Sequence, residues 1–174
     1  MRKTKIIALL IVLVAYTAVS NAQSMGEFWD LNYHMTKDSV ERVIKEKKVS
    51  STLLSKLNKE QIAVKYVVLD DEPFKYALFD FYQDKLLSGF FTQKEKENER
   101  ASIFFLRLRE SLTEKYGEPE IETSDIITCY WHDRNQHIVQ LSMEKRGKYY
   151  QIGILYLNGK LHSKKMLQEE QLQP

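Results

Sequence analysis

The stretch Phe91 to Pro119, FTQKEKENERASIFFLRLRESLTEKYGEP, constrains the fold more than any other part of the chain. It reads as one amphipathic helix with its limits written in. Thr92 and Glu95 have capping-box spacing, in which each side chain takes up an orphan amide of the first turn. Glu95, Glu97 and Glu99 suit the positive end of the helix dipole and Lys115 the negative end. Ala101, Phe105, Leu108 and Leu112 recur at helical spacing, widened by Phe104 and Tyr116. Gly117 and Pro119 stop the helix. A helix with one apolar stripe must cover something, and the runs on either side of it have strand character. It therefore acts as the ridge on which a sheet is laid and divides two similar halves.

Before it, Thr36 is an expected N-cap, with Met35 and Val40 placed for a hydrophobic staple, and Val40, Val43 and Ile44 mark one face of a helix to about Lys48. Val49 to Leu57 is left open between helical turn and loop. Gln61–Leu69, Phe74–Tyr82 and Lys85–Phe91 read as strands, joined by turns at 70–73 and 83–84. After the long helix come strands at Asp125–His132, Gln136–Glu144 and Tyr149–Leu157. Asn158-Gly159 is a hairpin signal that allows a short last strand around Leu161. The expectation is an α+β fold of two tandem helix-plus-three-strand units, about residues 36–92 and 93–157. Their strands form an antiparallel sheet of about six, with two helices on one face.

Residues 1–22 have the pattern of a cleaved export signal. Arg2, Lys3 and Lys5 form a basic end, Ile6–Val14 is unbroken apolar, and Ser20 and Ala22 put small residues before Gln23. The apolar run is shorter than the roughly 20 residues of a spanning helix. The expectation is a periplasmic or secreted protein without a membrane span. Its single α+β domain occupies residues 23–162, with a polar tail over 163–174. Of the 26 Lys and Arg residues, three lie in the leader, which leaves 23 against 24 Asp and Glu. The near-neutral remainder has no basic, aromatic-interleaved cluster, so no nucleic-acid partner is expected. Cys129 is the only cysteine, and the fold therefore depends on burial, not on disulfides.

The pieces MTKDSVERVI, FDFYQDKLLSGFF, and LTEKYGEP followed by CYWHDRNQHIVQL give an exported helix-then-hairpin unit, doubled. In this the chain resembles β-lactamase-inhibitor-protein-like proteins and their single-copy relatives, the BamE (SmpA)-like domains. The disulfides of the former and the lipid-accepting cysteine of the latter have no counterpart here. The resemblance implies a binding or scaffolding role without catalysis.

The chemistry-bearing residues point the same way. Cys129 and His132 are separated by an odd number of strand positions and so face opposite sides. The histidines His34, His132, His137 and His162 lack zinc-site spacing, although His132 and His137 flank one hairpin and are close enough in sequence to meet. No phosphate-binding glycine loop or nucleophile elbow is present. No cofactor and no metal are expected. Strand parity, with Phe79, Phe81, Cys129 and Trp131 inside, places Tyr76, Tyr82, Tyr130, His132, Gln140 and Gln151 on an open face free of helices. Such residues combine contact area with polar tips and suit recognition of a protein, a peptide or envelope material. Two other functions remain open: a small periplasmic enzyme, hydrolytic in kind, centred on the 129–137 hairpin, and a structural component of an envelope assembly.

Overall fold

Alternation of apolar and polar residues builds most of the molecule. The computed structural model describes residues 24–47, 61–123 and 126–171. The expected leader, its cleavage point and the Val49–Leu57 segment lie outside the described residues. Element order is β1 (Glu27–Phe28), β2 (Leu31–Asn32), α1 (Lys37–Glu46), β3 (Gln61–Leu69), β4 (Glu72–Tyr82), β5 (Lys85–Glu95), α2 (Asn98–Tyr116), β6 (Glu120–Thr123), β7 (Ile126–His132), β8 (His137–Arg146), β9 (Tyr149–Asn158) and α3 (Gly159–Gln171). The fold is α+β. Strands β3 to β9 form one antiparallel sheet in the order β3-β4-β5-β9-β8-β7-β6, and β1 and β2 pair as a separate hairpin.

Two meanders meet at their last strands, with β5 paired to β9 from Ser88 to Glu95. One register row crosses the whole sheet: Val64, Ala77, Phe91, Ile154, Leu141, Cys129 and Ile121. All but Ile121, at the β6 edge, are buried. This is the core face. The stripe of α2, which is Ala101, Phe104, Phe105, Leu108 and Leu112, is buried as well, and α2 packs on β8, β9 and β5. Thr36 caps α1, accepting from the Ser39 amide at 3.4 Å. Val40 and Ile44 bury its inner face. A backbone bond from Leu86 N to Met35 O (3.0 Å) ties the start of α1 to β5.

The aromatic lead-in also belongs to the core layer. Phe28 stacks on Tyr156, with ring centroids 4.4 Å apart and planes 7° apart. Its ring lies flat on Gly89, where a Cβ would come within 2.7 Å of Phe28 Cζ. Trp29 stacks on Phe79 and meets Phe91 edge-on. Only a residue without a side chain at position 89 leaves room for this hairpin against the sheet.

Three expectations are corrected. First, Thr92 and Glu95 do not cap the long helix; both lie in β5, and the helix begins at Asn98 after Glu97. The cross-strand ladder to β9 outweighs a local cap worth about 1 kcal/mol, and Thr92 Oγ1 donates instead to Ile152 O at 3.2 Å. Second, the main sheet has seven strands among the described residues, because Glu120–Thr123 adds an edge strand on β7. Third, Leu161 is helical. Asn158 accepts from the Leu161 amide at 3.0 Å and so starts α3 instead of closing a hairpin. The residues expected as a polar tail continue this helix to Gln171. His132 and His137, which flank one hairpin, stand on opposite faces. His132 pairs with Ile138 and His137 with Asn158, at positions of opposite parity, so their side chains leave opposite faces.

Candidate recognition face and the cavities around the hairpin

The residues between the core rows form the second face of the sheet. One row is Ala63, Leu78, Phe90, Leu155, Gln140, Tyr130 and Glu120. The next is Lys65, Tyr76, Thr92, Gly153, Ser142 and Thr128. On the other side runs Gln61, Asp80, Ser88, Leu157, Ile138 and His132. Gln151 sits between Lys94 and Glu144 with the same parity. Tyr76, Tyr130, His132, Gln140 and Gln151 thus share one face, opposite α2 and the hairpin.

Their surroundings differ from one another. Tyr130 and Gln140 are direct cross-strand neighbours and half-buried. His132 is exposed, 3.9 Å from Glu120 Oε1. The Lys75 ammonium lies 5.6 Å from the Tyr76 ring centre. Tyr82 is on the same face, but its hydroxyl donates to Gln168 Oε1 of α3, so the expectation of a face free of helices is corrected at this end. Parity found these six side chains and missed the middle of the face. Leu78, Phe90, Ile138, Leu155 and Leu157 are half-buried there, and Phe90 lies over Gly153, where a Cβ would be 2.6 Å from its Cε2. The signal was present in KLLSGFF, an apolar run without alternation, which puts apolar side chains on both faces of the strand.

The 129–137 hairpin is built as a turn. Asp133 Oδ1 accepts from the amides of Asn135 (2.8 Å) and His137 (2.9 Å), and Oδ2 lies 2.9 Å from His137 Nδ1. The His137 ring stacks on Tyr33. Cys129 is buried in the core, where desolvation pushes its thiol pKa up, with Arg109 opposing. A raised pKa disfavours the thiolate that nucleophilic chemistry needs. Among the described residues, no three His, Cys, Asp or Glu side chains converge to hold a metal. No described helix is long and apolar enough to cross a membrane.

Two cavities flank the β1–β2 hairpin. The first, about 390 Å³, includes Trp29, Asp30, Lys47, Asp70, Lys115 and Tyr116 in its lining. Lys47 pairs with Asp30 and Lys115 with Asp70. Trp29 and Asp30 both have positive φ, 51° and 60°. A left-handed tryptophan is unfavourable by itself. It is held by its stack on Phe79 and by its Nε1 donating to Val68 O at 2.7 Å. Burial raises the pKa of Tyr116 from 10.0 to about 12, helped by Asp70, and pushes Tyr156 and Tyr33 up as well. The second cavity, about 470 Å³, lies where α3 leaves β9; Lys85, Lys160 and Lys164 line it beside Tyr33, His34 and His137.

No family model, no curated protein and no solved structure matches this chain.

Proposed function

We propose that the chain is an exported, non-catalytic protein that binds a partner protein or peptide through the open face of its sheet. The carrying observation is the composition of that face: an apolar middle of Leu78, Phe90, Ile138 and Leu155 framed by Tyr76, Tyr130, Gln140 and Gln151. An apolar centre with a rim of tyrosines and amides is how protein-recognition patches are built. Export rests on the leader pattern of residues 1–22. The arrangement of α1 with β3–β5 and α2 with β7–β9 supports a reading as two tandem helix-and-meander units. That is the arrangement the resemblance to inhibitor-like and BamE-like proteins implies.

A photo-crosslinking residue placed at position 130 tests the recognition face, with the same residue at position 106 on the exposed side of α2 as the reference. Discrete adducts in native envelope extract are expected from position 130 alone. Equal labelling at both positions, or none at 130, refutes the proposal. Tyr130→Ala should weaken binding of the captured partner about tenfold, since an interfacial tyrosine contributes on the order of 1–2 kcal/mol, and leave the melting curve nearly unchanged. Intact-mass measurement of exported protein should give a chain beginning at Gln23.

A further inference from the structure

We propose that the free edge of β6 takes up an extended segment of a partner protein as a further strand of the sheet, a segment that alternates lysine or arginine with aliphatic residues. Strand β6 pairs with β7 on one side and with no other strand among the described residues. The backbone groups of its outer side are a template for one more strand. The path of β6 is fixed before anything binds. The Trp131 indole donates to Gly117 O at 2.7 Å and holds the link between α2 and β6 against β7.

Two apolar side chains stand open beside this edge. Ile121 ends the core row after Cys129 and is 48% exposed, whereas Cys129 is 1% exposed. Ile127, diagonal to Ile121 on the same face, is 36% exposed. Helix α2 packs on β8, β9 and β5 and leaves both uncovered. A strand edge that is merely guarded against aggregation carries charges and keeps its aliphatic residues covered. Here the charges are present, but two isoleucines remain for a neighbouring strand to cover. They lie on the core-facing side, so the site is distinct from the open recognition face.

Charge selects the occupant. Glu118 and Glu120 are exposed, and neither pairs with a lysine or arginine among the described residues; Glu120 has only His132, at 3.9 Å. Glu122 follows two positions on in β6, with the parity of Glu120. A second copy of this chain is therefore disfavoured. Every antiparallel self-pairing of β6 that keeps the two core faces on one side sets glutamate against glutamate: Glu120 opposite itself, Glu120 opposite Glu122, or Glu122 opposite itself. Like charges directly opposite one another destabilise a sheet. A strand with cations at those positions and an aliphatic residue opposite Ile121 turns the repulsion into attraction and covers the exposed isoleucine.

Titration of the isotope-labelled protein with the peptide Lys-Val-Lys-Val-Lys, acetylated and amidated, tests this by NMR. Saturable shifts are expected in the amides of Glu120, Ile121 and Ile127. The same peptide methylated at every backbone nitrogen keeps its side chains but cannot build the ladder, and should bind about tenfold more weakly or worse. Glu120→Gln/Glu122→Gln should weaken binding about tenfold, the effect of losing two cross-strand charge pairs. Glu169→Gln/Glu170→Gln on α3, with the same change of net charge, should bind like the parent. The proposal is overturned if the shifts fall outside β6 and β7, if the methylated peptide binds as well as the unmethylated one, or if the two double variants behave alike. Sedimentation of the protein alone at millimolar concentration should show a monomer. Association that Ile121→Lys abolishes would assign the edge to a second copy and overturn the proposal as well. Thermal melts of each variant establish that it is folded.

Discussion

The two cavities near the β1–β2 hairpin differ in charge. The first holds two lysines, and each is neutralised within the chain, Lys47 by Asp30 and Lys115 by Asp70. The second holds three lysines and no acid. A cation that finds its partner inside the protein spends its field on holding segments together: Lys47 ties α1 to the hairpin, and Lys115 ties α2 to the β3–β4 turn. In the second, Lys85 bonds to the His34 carbonyl at 3.3 Å, and Lys160 and Lys164 stay exposed. Two concavities of similar size thus differ in how their cations are held, by internal carboxylates in the first and without them in the second.

The largest effect is expected from removing the hairpin ring that lines the first cavity. Phe28→Ala strips the ring stacked on Tyr156 and seated on Gly89. A loss of about 3–5 kcal/mol is expected in urea melts, the range for a buried phenylalanine, and the first cavity should lose its definition. Leu108→Ala, in the buried stripe of α2, should cost about 2–5 kcal/mol. A loss below about 1 kcal/mol for Phe28→Ala would mean that the hairpin does not wall the first cavity.

Alkaline titration bears on the first cavity most directly, through Tyr116. The folded state holds the Tyr116 pKa above its unfolded value, so the protonated phenol contributes stability that is complete below the unfolded pKa. That contribution is lost as pH rises from 10.0 to about 12. Melting temperature should fall across this window, and Tyr33 and Tyr156, also raised, extend the fall upward. Tyr116→Phe should flatten the part of the curve below about pH 12. An unchanged curve in that variant removes Tyr116 from the account.

Smaller effects sharpen the comparison. Trp29→Phe keeps the stack on Phe79 and deletes the bond to Val68 O; a loss of about 1 kcal/mol is expected. Lys115→Ala should cost about 0.5–1 kcal/mol, the scale of a partly exposed ion pair. Lys160→Ala should leave the melting temperature unchanged or slightly higher, because relieving repulsion removes no native contact. If Lys160→Ala destabilises as much as Lys115→Ala, the second cavity is also a clamp.

Much of the sheet was legible along the chain because β3 is rich in β-branched residues and β8 alternates, and both are local properties. Gln61–Leu69 reads as a strand with the limits it has. The same parity separated Cys129 and Trp131 from Tyr130 and His132. Legibility failed where one signal serves two structures. Thr92 and Glu95 have cap spacing yet belong to a ladder, because β9, some 60 residues later, supplies the partner. Asn158-Gly159 fits a tight turn and equally a helix start, and the Leu161 amide takes the second. Tyr66, with φ of 56°, shifts the buried set from Ile62 and Val64 to Val67 and Leu69 within one strand, a step that no period announces.

By itself, then, the sequence determined the α+β class, the stripe of α2, the strand runs and the side of each that turns inward, all set by spacing over a few residues. Only the tertiary structure decided that EFWDLN would become a hairpin laid on the sheet, since its left-handed Trp29 and Asp30 are tolerable only once Phe79, Phe91 and the Val68 carbonyl hold them. It decided as well that Lys85 would stand with Lys160 and Lys164 while Lys47 and Lys115 found acids. Electrostatic character depends on distances between groups far apart in the chain, and the backbone path through the whole sheet is what sets those distances.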